Sequence, residues 1–223
     1  NKDDLDKLAL EIEECKRMGI DVLPPSVNES FVDFGVVKDT GNVRFGLSAI
    51  KHVGEAVAEE IVEERKTAGK FTDMENFITR LGTKVINKKS LEALAMAGAL
   101  DDLAERAEII FNMDRILSYA QGIKKTANAQ QNSLFSEDSI ETAKIEFEET
   151  KPADKKQRLS WERELLGMYI SEHPLSEIEP LIVPYQQKKI IEISPSMEND
   201  FVRIAGIITS VQTIITRKSN QKM

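Results

Sequence analysis

The stretch Leu47-Ser48-Ala49-Ile50-Lys51-His52-Val53-Gly54-Glu55-Ala56-Val57-Ala58-Glu59-Glu60-Ile61 decides how the chain is read. It predicts a short helix, a tight turn at His52-Val53-Gly54, and a second helix directly after it. Leu47 and Ile50 would face Val57, Ala58 and Ile61, with the small Ala58 letting the two backbones approach closely. The first backbone N–H groups of the second helix have no intrahelical acceptor and carry the positive end of the helix dipole. Gly54 brings them to the surface with no Cβ in the way. A phosphate fits such a place, and Lys51 adds a side-chain charge. The expected contacts are Lys51, His52, Val53, Gly54 and Ala56. The same residues would also make an ordinary αα-hairpin that holds no ligand.

The pattern resembles the helix-hairpin-helix motif, in which an apolar residue precedes a turn with two glycines and a small residue follows in the second helix. His52 fills the first glycine position, and histidine adopts positive φ only at some cost. The resemblance implies contacts to the DNA backbone, which position a protein without reading sequence. A weaker second copy runs from Ser90 to Leu100, with Lys88 and Lys89 at its start and Gly98 in its turn. Tandem units of this kind grip both strands across the minor groove. Plain helix packing is the simpler account of this second stretch.

On the N-terminal side, Leu5, Leu8, Ile12 and Cys15 make one apolar stripe, predicting a helix from Asp4 to Met18 with Gly19 as its cap. Pro24-Pro25 forces extended chain. Val32, Phe34, Val36, Val43 and Phe45 alternate around Asp39-Thr40-Gly41-Asn42, predicting a β-hairpin over residues 31–47. Towards the C-terminus, residues 48–100 read as helical with breaks at Gly54, Gly69, Gly82 and Gly98. Residues 105–123 read as one further amphipathic helix.

From Lys124 to Arg158 the chain is polar and charged, and reads as a linker. Gln131-Asn132-Ser133-Leu134-Phe135 is anomalous within it, because adjacent exposed Leu and Phe are costly unless something buries them. The pentapeptide resembles the clamp-binding peptide of bacterial DNA polymerases. That resemblance implies a sliding clamp as partner, with Gln131 and Ser133 at the rim and Leu134 and Phe135 in an apolar pocket. The alternative is that Leu134 and Phe135 fold back onto the chain's own core. A helix is expected over residues 159–170, ended by Pro174. Residues 201–216 carry the strongest strand signal and look like the first strand of an OB-fold. His173 has only His52 as a companion, and no metal or nucleophile constellation forms around it.

The chain has 223 residues, a net charge of −8, 41% hydrophobic and 30% charged residues, and one cysteine, Cys15. It reads as globular and cytoplasmic, in a reducing compartment. Nothing approaches the ~20 consecutive apolar residues of a membrane span. The absence of an initial Met and the stop at Met223 are read as signs of a fragment. The acidic total argues against nucleic acid, but basic residues concentrate between Arg44 and Lys89, so a local site can be positive.

Taken in order, these features look like a segment of the bacterial DNA polymerase III alpha subunit family. They are the helix with Val22-Leu23-Pro24-Pro25 and Val27-Asn28, the hairpin at residues 45–54, the Gly98 turn, the Gln131–Phe135 peptide, Glu162, Leu166-Gly167, His173-Pro174-Leu175 and the start of an OB-fold. The expected fold is mainly α with a β-hairpin near the N-terminus. The expected parts are distal fingers (1–43), a tandem helix-hairpin-helix domain (44–123), a linker (124–158), connecting helices (159–200) and an incomplete OB-fold (201–223). The resemblance implies DNA-directed DNA synthesis by the parent protein, with Mg2+ held by carboxylates in its palm, and contacts to other replisome subunits. No such carboxylates are found here. Asp101-Asp102 comes nearest, and capping or solvation accounts for it. A DNA ligase would need a zinc-binding cysteine cluster, which one cysteine excludes. A repair protein or a non-enzymatic scaffold remains the alternative.

Overall fold

Helix α1, Leu5–Arg17, ends where Gly19 turns to φ +76°. There the Ile20 N–H reaches back to the Cys15 carbonyl and the Gly19 N–H to Lys16, which helps satisfy the carbonyls of the last turn. This is a computed structural model, and it describes residues 5–85, 87–132, 144–172, 174, 176, 179–185, 188 and 192–205. The described residues divide into two units, residues 1–172 and residues 173–223.

The expected β-hairpin is present with very short strands. Strand β2, Gly35–Val36, pairs antiparallel with β3, Val43–Arg44. A third strand, β1, Val22–Leu23, pairs parallel with β3, so the sheet order is β1-β3-β2. The prolines after Leu23 explain why β1 stops at two residues, since proline has no N–H for a ladder. Val36 is exposed, whereas Phe45, just beyond β3, is fully buried and packs edge-on against Phe34.

Helices dominate the rest. They are α2 (Glu55–Ala68), α3 (Met74–Val85, kinked at Gly82), α4 (Lys88–Met96), α5 (Arg106–Phe111) and α6 (Met113–Asn132). The four glycine breaks fall as expected. Asn87 starts α4 with a reciprocal capping box, each of Asn87 and Ser90 bonding the other's backbone N–H. The single helix expected over residues 105–123 is interrupted at Asn112. There the side chain is spent on the chain that lies over it: Asn112 Nδ2 donates to the Glu148 carbonyl at 3.0 Å, and Asn112 Oδ1 accepts the Glu148 N–H at 2.8 Å.

That pairing corrects the reading of residues 124–158 as one linker. Residues up to Asn132 extend α6. Residues 144–153 form an extended strap across the first unit, with Ile145 and Phe147 packed on the core. The strap's backbone is satisfied by side chains rather than by a strand: the Ile145 N–H donates to Glu75 and the Ala153 N–H to Glu105. Asp154 then caps α7, Lys155–Leu166, which begins inside the expected linker. Helix α7 packs on α4.

In the second unit, α8 (Glu179–Ile182) and a 3-10 turn at Pro195–Met197 are the described elements. Residues 201–205 carry no strand, and Phe201 is fully exposed. The remainder of the expected OB segment, residues 206–223, and His173 lie outside the described residues.

Candidate nucleic-acid interface

The first hairpin differs from expectation at its entry. Leu47–Ala49 is a single 3-10 turn, not an α-helix. The Lys51 N–H, which would make the first α-helical bond to the Leu47 carbonyl, donates instead to the Leu165 carbonyl, and Ile50 turns to an extended ψ of 124°, while the Leu47 and Ser48 N–H groups cross to the Phe31 and Val32 carbonyls before β2. Gly46 sits at that crossing, where a Cβ would lie 2.4 Å from the Asp33 backbone.

The turn itself has the expected shape. The Val53 N–H closes on the Ile50 carbonyl at 3.0 Å, and His52, the third residue of this turn, has φ +72°. That is the left-handed position where such turns favour glycine. Ile50 and Val53 are buried and anchor the turn, while Lys51, His52 and Gly54 are exposed. Gly54 is the N-cap of α2 with no side-chain cap. Its φ of −71° suits any residue, and a Cβ built on it meets nothing within 4 Å. The N–H groups of Gly54 and Ala56 have no acceptor among the described residues. Leu47, Ile50, Ala58 and Ile61 are all at most 1% exposed, so the packing behind the turn is as expected. Glu55, in the first turn of α2, is exposed and places negative charge beside this N-terminus.

The second hairpin is built differently. Gly98 has φ +82° and is buried, and a Cβ there would lie 2.2 Å from the Arg106 guanidinium. The N-terminus of the helix that follows is occupied by Glu105, whose carboxylate accepts the Ala107 and Glu108 N–H groups. The other oxygen of Glu105 accepts from Ala153 and Arg158. Its pKa is lowered: burial pushes it up, but the N–H groups of Ala153, Glu108 and Ala107 and the charge of Arg158 outweigh that. Lys88 pairs with Asp114 at 3.0 Å on the surface, and Lys89 is exposed. Gln131 lies at the end of α6, and Ser133, Leu134 and Phe135 lie outside the described residues.

Sequence reading missed the most charged part of the interior. Arg106, 5% exposed, donates through Nε and Nη2 to Asp101, and through Nη1 to the Met96 carbonyl and Glu162. Glu162, 2% exposed, also accepts the Ile170 and Ser171 N–H groups and the Ser171 hydroxyl. Burial works against the Arg106 charge, but Asp101 and Glu162 more than restore it, and its pKa is raised. Asp102 turns elsewhere, accepting from the Ser26 hydroxyl at 2.8 Å.

Residues 19–109 match the helix-hairpin-helix motif family model. The chain is 36% identical, over 98% of its length, to a DNA polymerase III subunit alpha from Borreliella burgdorferi, of which it covers 19%. It is 35% identical over 99% of its length to the subunit from Saccharopolyspora erythraea, again covering 19% of that protein. It is 40% identical over 77% of its length to the one from Thermus aquaticus, covering 14%. The chain therefore spans about a fifth of the length of the curated relatives it matches. Along almost its whole length the chain is similar to DNA polymerase III alpha subunits, and residues 19–109, in its first unit, carry the helix-hairpin-helix motif.

Proposed function

We propose that this chain is the part of a replicative DNA-directed DNA polymerase that holds duplex DNA by its backbone and tethers the enzyme to its sliding clamp. The observation that carries the DNA reading is the first hairpin. His52 takes the left-handed glycine position, and the uncapped Gly54 end of α2 opens onto free space beside the exposed Lys51. A phosphate oxygen there would accept the Gly54 and Ala56 N–H groups and meet the Lys51 ammonium. Such contacts are indifferent to base sequence. In the second hairpin, Lys89 and Lys88, the latter paired with Asp114, are the exposed candidates, while Gly98 would act by shaping the turn, since Arg106 covers it.

Tethering would use Gln131, Ser133, Leu134 and Phe135, the two apolar side chains contributing about 1.5–3 kcal/mol each when buried in a clamp pocket. Synthesis by the parent polymerase would use Mg2+. The residues described here do not fit that ion: Asp101 is bound to Arg106 and Asp102 to Ser26, so the adjacent carboxylates do not converge. Among the described residues no group of three or more ligating side chains forms a metal site. No described helix is long and apolar enough to cross a membrane. A cytoplasmic location and further replisome subunits as partners belong to the same proposal.

Two titrations test the reading. A short duplex of mixed sequence, followed by fluorescence anisotropy, should bind the wild-type chain and lose affinity with Lys51→Glu. Equal affinity for both proteins would remove the hairpin from the interface. Purified bacterial sliding clamp should bind the wild-type chain and not the Leu134→Ala/Phe135→Ala variant. Failure of the wild-type chain itself to bind would end the tether reading and leave a DNA-binding module.

A further inference from the structure

The turn of the first hairpin is held from behind by an element more than half the chain away. The Lys51 N–H donates to the Leu165 carbonyl at 3.0 Å. Leu165 lies in the last turn of α7, where helix geometry leaves carbonyls without an intrahelical donor. Ile50 and Val53, flanking the exposed Lys51 and His52, belong to the same buried core as Leu165 and Leu166. One helical turn before Leu165, Glu162 fixes α7 in place. Its Oε1 meets Arg106 at 3.3 Å, and its Oε2 takes the N–H groups of Ile170 and Ser171, each at 3.1 Å. Arg106 in turn is clamped by Asp101. Rotation or sliding of α7 would break the bond between Glu162 and Arg106, leaving two buried charges apart.

We propose that Glu162 is a positioning residue for the DNA-contacting turn: it holds α7 where the Leu165 carbonyl meets the Lys51 N–H, and so sets the aim of Lys51 and of the α2 amides. Glu162 touches no DNA itself. The inference rests on the reading of that turn as a DNA site. It goes beyond that reading in assigning the turn's geometry to a buried carboxylate in another element.

The test is Glu162→Gln in the 223-residue chain, with two readouts. The first is amide hydrogen exchange without DNA: Lys51 should exchange about tenfold faster or more, while Ile78 in the α3 core keeps its protection. The second is the salt dependence of duplex affinity, whose slope should become shallower by about 0.9 for each phosphate no longer engaged. A variant that merely lowers the folded fraction weakens binding in parallel at every salt concentration and leaves the slope alone. That result, or unchanged Lys51 exchange, overturns the proposal. If Glu162→Gln does not fold, Glu162→Asp, too short to reach Arg106 and the 170–171 amides together, is judged by the same two readings. If the wild-type chain itself fails to bind duplex, the DNA reading falls and this role falls with it. An altered slope in the variant alone cannot arise in that case, so the two failures are distinguishable.

Discussion

Asn28 and Phe71 pair as two residues of neighbouring strands would, although neither lies in a strand. Asn28 Nδ2 donates to the Phe71 carbonyl at 3.0 Å, and Asn28 Oδ1 accepts the Phe71 N–H at 2.8 Å. Both residues are buried, and the Arg80 guanidinium lies over the Phe71 ring, 4.3 Å from its centroid. The pair ties the loop after α2 to the segment that follows β1. Asn28→Ala would leave a buried donor and a buried acceptor unsatisfied, so it should lower stability by about 2–4 kcal/mol. Asn28→Asp should cost nearly as much, because the Phe71 carbonyl loses its donor. Urea unfolding followed by circular dichroism measures both, and a loss under about 1 kcal/mol would mean that the pair is dispensable.

Gly98 and Gly54 should respond in opposite ways to the same substitution. Gly98→Ala places a methyl group in left-handed backbone and against the Arg106 guanidinium, so it should destabilise the chain by about 2 kcal/mol or more. Gly54→Ala is compatible with the backbone and meets open space, so stability should stay within about 1 kcal/mol. Its effect should appear in duplex affinity instead, because the new Cβ stands where a phosphate would approach. Thermal melts and anisotropy titrations on the two variants separate these effects.

His52 offers a third test. A non-glycine residue at positive φ costs on the order of 1 kcal/mol, and glycine gives back part of that gain through its freer unfolded chain. His52→Gly should therefore stabilise the chain by about 0.5 kcal/mol and leave duplex affinity unchanged or improved. Weaker binding by His52→Gly would show that the imidazole itself makes a contact.

The Glu105 carboxylate makes the first unit acid-sensitive. Its pKa is lower in the folded chain than in the unfolded one, so below the ordinary carboxylate range the unfolded state binds the extra proton. The stabilisation is complete above about pH 5 and declines as the pH falls through about 4 and below. Glu105→Gln should flatten this part of the stability–pH curve measured by denaturant unfolding at pH 7 and at pH 3.5. An unchanged curve would assign the acid response to other groups.

Much of the fold was readable because apolar spacing and glycine punctuation act locally. The α1 stripe, the four glycine breaks, the β-hairpin and the packing of Leu47 and Ile50 on Ala58 and Ile61 all follow from that. What failed depends on distant partners. Leu47–Ala49 forms no α-helix because the Lys51 N–H, which would bond back to Leu47, goes to the distant Leu165 carbonyl and Ile50 is extended. Ile145 and Phe147 alternate with acidic residues, so the strap passed for a polar linker, yet these two side chains are half-buried against the core. Two faint signals were available for the charge cluster. Arg106 precedes Ile109 by three and Met113 by seven on the apolar side, and Glu162 sits three residues from both Leu159 and Leu165. A charge on an apolar stripe calls for a buried partner of opposite sign, but spacing alone does not say which one. The turn at Lys51–Gly54 stood out early, since turn chemistry is local, whereas the support behind the turn is not.

The bond between Lys51 and Leu165 also has a consequence in time. Chains are made from the N-terminus, at about 5–20 residues per second, and early parts begin to fold before later ones exist. When synthesis has passed α6, both hairpin sequences are complete, yet the carbonyl that receives the Lys51 N–H and the carboxylate that receives Arg106 have not been made. Until α7 emerges, Arg106 has Asp101 but not Glu162, and the hairpin turn lacks its rear support. The nascent hairpin therefore acquires its final shape late, so newly made chains pass through a stage in which the first hairpin turn is present but lacks the bond to Leu165.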